Sequence, residues 1–207
     1  MAYDRKHVGI KSSKEWYNTV AEEYNKYHTH LDWFDKWSFL RFIPRVSHPL
    51  DIIDLGAGDG RLFKFFEAKQ YRRYVACDIA DKLLARHPGT KNIEKVVCDL
   101  EAPLPFENES FDLAMAFFVL EHLYNIKELF SEIYRILRPG GRCIIGHCMQ
   151  RHEFTWANWR APFKIDFVPH RFQDLVKIAE DCFFSVDIFP VEEKKDVIGH
   201  ILVLEKN

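Results

Sequence analysis

Three glycines and two aspartates carry the first chemical signal in this chain. Gly56, Gly58 and Gly60 alternate directly after an apolar run, in the stretch DIIDLGAGDGRLFKFF of residues 51–66. Glycine allows a tight turn and lets a ligand approach the backbone closely. Asp78 and Asp99 then end the next two apolar runs. This pattern is typical of a strand, loop and helix unit that binds a nucleotide or a nucleoside.

The loop spacing distinguishes between these two kinds of ligand. A dinucleotide-binding loop reads G-x-G-x-x-G and holds a pyrophosphate at a helix N-terminus. Here the third glycine comes one position early, and the acidic Asp59 inside the loop would repel a pyrophosphate. The sequence therefore favours a nucleoside without phosphates.

The acidic strand ends have both a binding and a structural interpretation. A carboxylate at Asp78 can accept hydrogen bonds from ribose hydroxyls, and one at Asp99 can accept from an adenine amino group. The alternatives are that Asp78 caps the following helix and that Asp99 is structural. Asp54 either contacts the ligand or bonds the loop amides.

Two histidines are candidate general bases, since each titrates near neutrality. His122 follows the fourth predicted strand, and His147 lies at the end of the fifth. The alternative for both is a local hydrogen-bonding role. The spacing of His147 with Cys143, Cys148 and His152 matches no zinc pattern, so we expect no metal.

Alternating strands and helices from residue 50 onward predict a parallel α/β sheet. Ligands of such sheets bind at the carboxyl ends of the strands, where the glycine loop and both aspartates lie. The predicted strands cover residues 51–55, 71–78, 93–100, 110–123, 142–148, 184–192 and 197–207. The predicted helices cover residues 12–30, 60–69, 81–87 and 171–183, with one more from Asn125 to the Pro-Gly-Gly at 139–141.

Composition limits the class of protein. The chain has 207 residues, is 47% hydrophobic and carries a formal net charge of -2, which predicts one globular domain over 1–207 and no nucleic-acid partner. The longest apolar run, residues 113–120, is too short to span a membrane, and the N-terminus lacks a signal-peptide pattern, so we expect a cytoplasmic protein. Five cysteines without CxxC spacing suggest buried thiols at Cys77, Cys98 and Cys143 rather than disulfides.

Large aromatic residues cluster on either side of the predicted sheet, at residues 16–42 and 154–167. They are either core residues or the walls of a pocket for an apolar or aromatic molecule. In the second interpretation, residues 1–49 form a helical lid, and Trp156 and Trp159 contact the bound molecule.

Four stretches in order, DLGAGDG, CDIA, CDLEAPLPFENESFDLAMAFFVLEHL and RILRPGG, resemble the class I S-adenosylmethionine-dependent methyltransferases. The likeness covers about residues 50–146 and favours the branch of ubiquinone/menaquinone-type and other small-molecule enzymes. It implies a Rossmann-like α/β fold, with a seven-stranded, mostly parallel sheet, an antiparallel last strand and helices on both faces. It also implies S-adenosylmethionine as cofactor and S-adenosylhomocysteine as product.

The resemblance assigns the site residue by residue. Asp54 and the loop with Gly56, Ala57, Gly58 and Gly60 would surround the methionine part of the cofactor. Asp78 and Ile79 would hold the ribose, and Asp99 with Leu100 the adenine. Phe117 and Phe118 would line the methionine side.

Two further function classes stay open. The acceptor could be a protein or RNA, although the chain lacks the Asn-Pro-Pro-Tyr stretch often found after strand four of amino-directed enzymes. The chain could also be a non-catalytic partner subunit, although the intact glycine loop disfavours this. Either a monomer or a homodimer is compatible with the sequence.

Overall fold

The computed structural model describes residues 9–24, 40–45, 47–89, 92–148, 155–158, 161–165, 168–193 and 195–207. The strands are β1 (Gly9–Lys11), β2 (Leu50–Leu55), β3 (Tyr71–Asp78), β4 (Ile93–Val97), β5 (Phe111–Phe117), β6 (Leu137–Cys148), β7 (Thr155–Asn158), β8 (Ala161–Ile165), β9 (Phe184–Glu193) and β10 (Asp196–Lys206). The helices are α1 (Ser13–Val20), α2 (Asp81–Ala85), α3 (Ile126–Ile136) and α4 (Phe172–Asp181).

Seven strands form one sheet in the order β4-β3-β2-β5-β6-β10-β9. The pairs from β4 to β6 are parallel, and β10 is antiparallel to both β6 and β9. The last strand of the chain is therefore the one that runs against the others. This confirms the predicted fold class, and it places the ends of β2, β3 and β5 side by side.

The sheet buries both of its faces, as the apolar runs in the sequence predict for parallel strands. On one face, Ile53 of β2 belongs to a core that includes Leu129 of α3 and Leu175 of α4. On the other face, Ile52 belongs to a core that includes Leu84 of α2. Alternate residues of a strand point to opposite faces, so a single strand supplies both cores.

The segment after the glycine loop differs from the prediction. We expected a helix over 60–69, but the structure has only a 3₁₀ turn at Phe63–Phe65, and Phe66 is extended. A tight turn follows, in which the Gln70 amide donates to the Glu67 carbonyl and the Gln70 carbonyl accepts from the Leu50 amide. The chain must reach β3 at Tyr71, and a helix to residue 69 would leave no room for this return.

The N-terminal helix begins at the predicted capping box. The Glu15 amide donates to the Ser12 hydroxyl at 3.4 Å, and the Ser12 amide donates to the Glu15 carboxylate at 3.3 Å. Helix α1 ends at Val20, before the predicted end at residue 30. Residues 25–30, and most of the predicted second aromatic segment, lie outside the described part of the chain.

A small second sheet, of order β1-β8-β7, joins distant parts of the chain. Strand β1 pairs in parallel with β8, and β7 pairs antiparallel with β8. No periodic pattern in the sequence predicts these strands, because they are short and β8 contains a proline. The small sheet ties the residues before α1 to the segment that follows β6.

The cysteine prediction is wrong for one pair. Cys77 and Cys98 form a disulfide, with their Cα atoms 6.1 Å apart. Parallel pairing sets Cys77 opposite Val96, which brings Cys98 within reach although it is 21 residues away in sequence. Cys143 and Cys182 are buried free thiols.

Among the described helices, none combines the length and the apolar composition needed to cross a membrane.

A charge network closes the amino end of the sheet. The Asp51 carboxylate, buried at 2% exposure, accepts hydrogen bonds from Arg72 and Arg138. Arg138 also pairs with Asp112 at 2.9 Å. Burial alone would raise the pKa of Asp51, but these hydrogen bonds lower it. Arg138 therefore compensates two carboxylates on neighbouring strands.

We expect Arg138→Met to lower the free energy of unfolding by about 2 kcal/mol, because it leaves buried Asp51 with one partner fewer. Urea denaturation at pH 7 measures the loss. Arg142→Met is the matched control on the same strand, since its pairing with Glu205 is more exposed and should contribute less than about 1 kcal/mol. Equal losses in the two variants would show that the network adds nothing beyond a surface ion pair.

Candidate active site

A cavity of about 380 Å³ opens at the carboxyl ends of β2, β3 and β5. Its walls come from the glycine loop, the ends of β3 and β5, the residues after β4, and helix α1. Among the predicted site residues, those that line it are Asp54, Gly56, Ala57, Gly58, Asp78, Ile79, Asp99, Leu100, Phe117, Phe118 and His122. The fold thus gathers at one edge residues that are up to 68 positions apart in the sequence.

The three loop glycines have different physical reasons to be glycine. All have positive φ, and a Cβ on Gly56 would lie 2.6 Å from the Val119 side chain. A Cβ on Gly60 would lie 2.7 Å from His87. Gly60 does not line the described cavity, and its role is to let the loop pass against this neighbour. A Cβ on Gly58 would make ordinary contact with Leu83 at 3.5 Å, so its positive φ is the reason for glycine there.

Hydrogen bonds fasten this loop to the end of β3. The amides of Gly56 and Ala57 both donate to the Cys77 carbonyl, at 2.8 and 3.0 Å. The Asp78 carboxylate accepts from the amides of Gly58 and Ala80, each at 2.8 Å. Burial raises the pKa of Asp78, and these amide hydrogen bonds oppose the rise.

Asp78 is thus a ligand candidate that also holds the loop. It does not cap α2, whose N-cap is Ala80 and has no side-chain cap bond. A carboxylate oxygen accepts up to two hydrogen bonds, so Asp78 keeps acceptor capacity toward the cavity.

The other two predicted aspartates, Asp54 and Asp99, also accept hydrogen bonds within the protein. The Asp54 carboxylate accepts from the Tyr74 hydroxyl at 2.8 Å, within the second core. The Asp99 carboxylate accepts from the Glu101 amide at 3.0 Å, which is a local turn contact. Both residues line the cavity.

Two charged residues at this site, Asp59 and Arg61, were not predicted to be site residues. Asp59 is 7% exposed, and its Oδ2 has no hydrogen-bond partner among the described residues. Burial raises the pKa of Asp59. Arg61 lines the same cavity, with its guanidinium 4.9 Å from the centre of the Phe118 ring. Asp59 was noted in the loop sequence, but only as an argument against a pyrophosphate ligand.

His122 reaches the cavity together with Tyr17 of α1. The Tyr17 hydroxyl lies 2.9 Å from His122 Nε2. Burial, followed by nearby acidic groups, raises the pKa of Tyr17 well above its usual value, so the phenol stays protonated. Because a phenol can both donate and accept, the contact is compatible with either tautomer of His122, and the tautomer with its proton on Nε2 leaves Nδ1 free to accept a proton.

The second candidate base, His147, lies elsewhere. Its Nε2 is 3.0 Å from the His170 carbonyl oxygen, which requires a proton on that nitrogen. Its Nδ1 is buried, without a partner among the described residues, and burial lowers the pKa of the ring. His147 does not line the cavity formed by the described residues.

Trp159 lies outside the described residues, and only the backbone of Trp156 is described, in β7. The predicted contact of these residues with a bound molecule stays a prediction. Among the described residues, no three His, Cys, Asp or Glu side chains form a group that could hold a metal ion.

Glu121 is a buried acid beside the cavity. It is 7% exposed, its Oε2 has no partner among the described residues, and burial raises its pKa to about 7. A carboxyl group whose pKa is raised in the folded state stabilises the fold while it is protonated. This contribution is complete below the unfolded-state pKa, which is near 4.3, and is lost as the pH rises through 7.

We expect Glu121→Gln to stabilise the protein by about 2–3 kcal/mol more at pH 8 than at pH 5, because Gln removes a buried charge only where Glu121 is ionised. Urea denaturation at the two pH values measures this difference. Exposed Glu128→Gln should have the same small effect at both, since water hydrates that carboxylate. A pH-independent effect of Glu121→Gln would contradict the assigned burial.

Residues 53–145 match the family model described as a methyltransferase domain. A demethylmenaquinone methyltransferase of Leptospira interrogans is 25% identical over 164 residues, which cover 70% of this chain and 66% of the relative. A malonyl-[acyl-carrier protein] O-methyltransferase of Hahella chejuensis is 35% identical over 107 residues, covering 49% of this chain and 38% of the relative. The alignments with the curated relatives span between 35% and 66% of their lengths.

The fold agrees with these matches. A crystal structure of a SAM-dependent methyltransferase from Methanosarcina mazei superimposes with a TM-score of 0.64 at 19% identity, covering 83% of this chain and 98% of the other. That likeness shows the fold alone, and the family match covers slightly less than half of the chain. A methyltransferase domain on this fold implies S-adenosylmethionine as cofactor. Residues 53–145 therefore match a methyltransferase domain, in a chain that has the fold of the S-adenosylmethionine-dependent methyltransferases.

Proposed function

We propose that this protein transfers the methyl group of S-adenosylmethionine to a small organic acceptor. The observation that carries the proposal is the single cavity shared by the glycine loop, Asp78 and Asp99. When bound, S-adenosylmethionine supplies a methyl group already activated by its sulfonium. The protein then needs to position the acceptor, exclude water and, for a protonated acceptor, remove a proton.

The cavity fits this cofactor in size and in chemistry. Its volume, about 380 Å³, is within the range of pockets that enclose small ligands. Gly58 and Asp78 both lie on the lining, and Asp59 offers a buried oxygen without a hydrogen-bond partner among the described residues. An acidic lining suits a ligand that carries a sulfonium and an ammonium group.

In the proposed arrangement, each predicted residue has one task. Asp78 with Ile79 would hold the ribose, and Asp99 with Leu100 would hold the adenine. Asp54 and the loop residues Gly56, Ala57 and Gly58 would surround the methionine part, with Phe117 and Phe118 beside it. Gly60, which does not line the described cavity, would only shape the loop.

We assign proton removal to His122 and not to His147, because only His122 lines the described cavity. The Tyr17 hydroxyl fixes the orientation of the His122 ring through the 2.9 Å contact. A positioned base of this kind typically contributes about 10²–10⁴-fold to the rate.

We further propose that residues 1–49 act as a lid on a single domain of residues 1–207. Helix α1 supplies Tyr17 to the cavity wall and is held to α2 by Asn18. The Asn18 side chain donates to Asp81 at 2.9 Å and accepts from the Lys82 amide at 3.0 Å. A lid closed in this way would exclude water from the methyl group.

The acceptor is proposed to be apolar or aromatic, because Tyr17, Tyr24 and Phe118 line the cavity. The names of the relatives include both a quinone precursor and a carrier-bound malonyl group, so they do not select one acceptor atom. The formal charge of -2 disfavours RNA, and the cavity disfavours a non-catalytic subunit. A cytoplasmic monomer or homodimer without a nucleic-acid partner is part of the proposal.

Calorimetric titration with S-adenosylmethionine and S-adenosylhomocysteine tests the cofactor assignment. We expect micromolar binding of both. Absence of binding to folded protein would reject the proposed function and favour a non-catalytic role.

Asp78→Ala should weaken S-adenosylhomocysteine binding by about 10- to 100-fold, because it removes the ribose acceptor and releases two loop amides. Circular dichroism checks that the variant is folded. Asp181→Ala removes an exposed carboxylate at the end of α4 and should leave the affinity unchanged. Unchanged affinity in Asp78→Ala would remove the ribose assignment.

His122→Gln should lower methyl transfer by about 10²-fold or more while S-adenosylhomocysteine binding stays the same. The measurement uses labelled S-adenosylmethionine and a panel of quinols and phenols. A loss of cofactor affinity instead would show that His122 supports the cofactor site rather than the acceptor.

A further inference from the structure

The charges around the cavity are unbalanced. Five carboxylates line it, at Asp54, Asp59, Asp78, Asp99 and Glu101. Among the described residues, only two of its lining side chains are Lys or Arg. Such a lining attracts the sulfonium and the ammonium of S-adenosylmethionine. It repels the carboxylate of the same molecule, which therefore needs a cation at the site.

The backbone after the glycine loop does not supply that positive charge. A long helix with a free N-terminus would attract an anion, but only the 3₁₀ turn Phe63–Phe65 follows the loop. A cationic side chain would supply the positive charge that this turn does not. The described cationic candidates on the lining are Lys14 and Arg61.

Arg61 is the better placed of the two. Lys14 is exposed at the start of α1, whereas Arg61 is half-buried and directly follows the loop. The Arg61 guanidinium lies over the Phe118 ring at 4.9 Å, and Phe118 is itself fixed by a 3.0 Å hydrogen bond from its amide to the Gly146 carbonyl. The field of Arg61 also acts to lower the pKa of Asp59, Glu121 and Tyr17. Asp59 and Tyr17 line the cavity, as does Arg61 itself, so the positive charge lies at the cavity wall.

Asp59 provides the opposite charge two residues earlier. Its Oδ2 is buried and has no hydrogen-bond partner among the described residues. A buried carboxylate oxygen without a partner is costly, and a ligand ammonium would supply the missing donor. Arg61 and Asp59 are thus a cation and an anion on one loop.

We propose that Arg61 binds the carboxylate and Asp59 the ammonium of the amino-acid end of the cofactor. This inference rests on the proposed function. The planar guanidinium suits a carboxylate, with which it forms paired, charge-assisted hydrogen bonds. An acceptor carboxylate has the same chemistry, so the test must separate the cofactor from the acceptor.

Calorimetry without any acceptor makes this separation. The ligands are S-adenosylhomocysteine, its decarboxylated analogue, and 5′-methylthioadenosine, which lacks the whole amino-acid end. Wild-type protein should prefer S-adenosylhomocysteine over the decarboxylated analogue by about 10-fold or more. Arg61→Gln should abolish that preference and leave the affinity for 5′-methylthioadenosine within about twofold.

Lys64→Gln is the matched control, because it removes a nearby exposed cation that does not line the cavity. It should preserve the preference. Asp59→Asn should weaken S-adenosylhomocysteine and the decarboxylated analogue by a similar factor, since both keep the ammonium, and spare 5′-methylthioadenosine.

Two outcomes overturn the inference while leaving the proposed function intact. One is wild-type affinity of Arg61→Gln for S-adenosylhomocysteine, which would leave Arg61 to an acceptor or to structure. The other is an equal loss for all three ligands, which would show damage to the loop. Failure of wild-type protein to bind any of the three would instead reject the proposed function itself.

Discussion

The site depends on a few hydrogen bonds between the glycine loop and the end of β3. The amides of Gly56 and Ala57 share the Cys77 carbonyl, and the Gly58 amide bonds the Asp78 carboxylate. These contacts require β2 and β3 to pair in parallel in their observed register. They also force the positive φ values that only glycine adopts without strain. The loop is therefore shaped by the neighbouring strand, and the cavity exists because the sheet does.

Buried carboxylates at the two ends of the sheet differ in whether cationic side chains pair with them. At the amino end, Asp51 is matched by Arg72 and Arg138, so its charge is compensated within the protein. At the carboxyl end, the Asp59 Oδ2 has no hydrogen-bond partner within the part of the chain that the structure describes, and burial raises the pKa of Asp78 despite two amide hydrogen bonds. Uncompensated acids reduce stability, and binding sites are where proteins retain such a cost. A cationic ligand would supply the compensation that the fold lacks there.

Helix α1 connects the described N-terminal residues to this cavity. Asn18 ties it to α2, and Tyr17 ties it to His122 in the turn after β5. The small sheet adds a backbone link from β1 to β8. An element that precedes the main sheet thus pairs with one inserted between β6 and β9. Among these N-terminal elements, α1 contributes Tyr17 to the cavity wall.

The sequence by itself determined the fold class, the parallel alternation and nearly half of the cavity lining. These features can be predicted because buried strands appear in the sequence as apolar runs, and because the glycine loop and the acidic residues at strand ends are local patterns. The same local logic placed the capping box at Ser12 and Glu15 correctly. The helix prediction after Gly60 was wrong. Residues there form only a 3₁₀ turn, because the chain must return to β3.

Only the tertiary structure decided which of the gathered residues face one another. Cys77 and Cys98 meet because β3 and β4 pair, which no spacing rule in the sequence expresses. His122 and His147 looked equivalent as ends of strands, yet one lines the cavity and the other bonds the His170 carbonyl. Arg61 and Tyr17 reach the site through packing across distant elements. Sequence periodicity sets the face on which a side chain lies, whereas its partners are set by the three-dimensional packing of segments far apart in the chain.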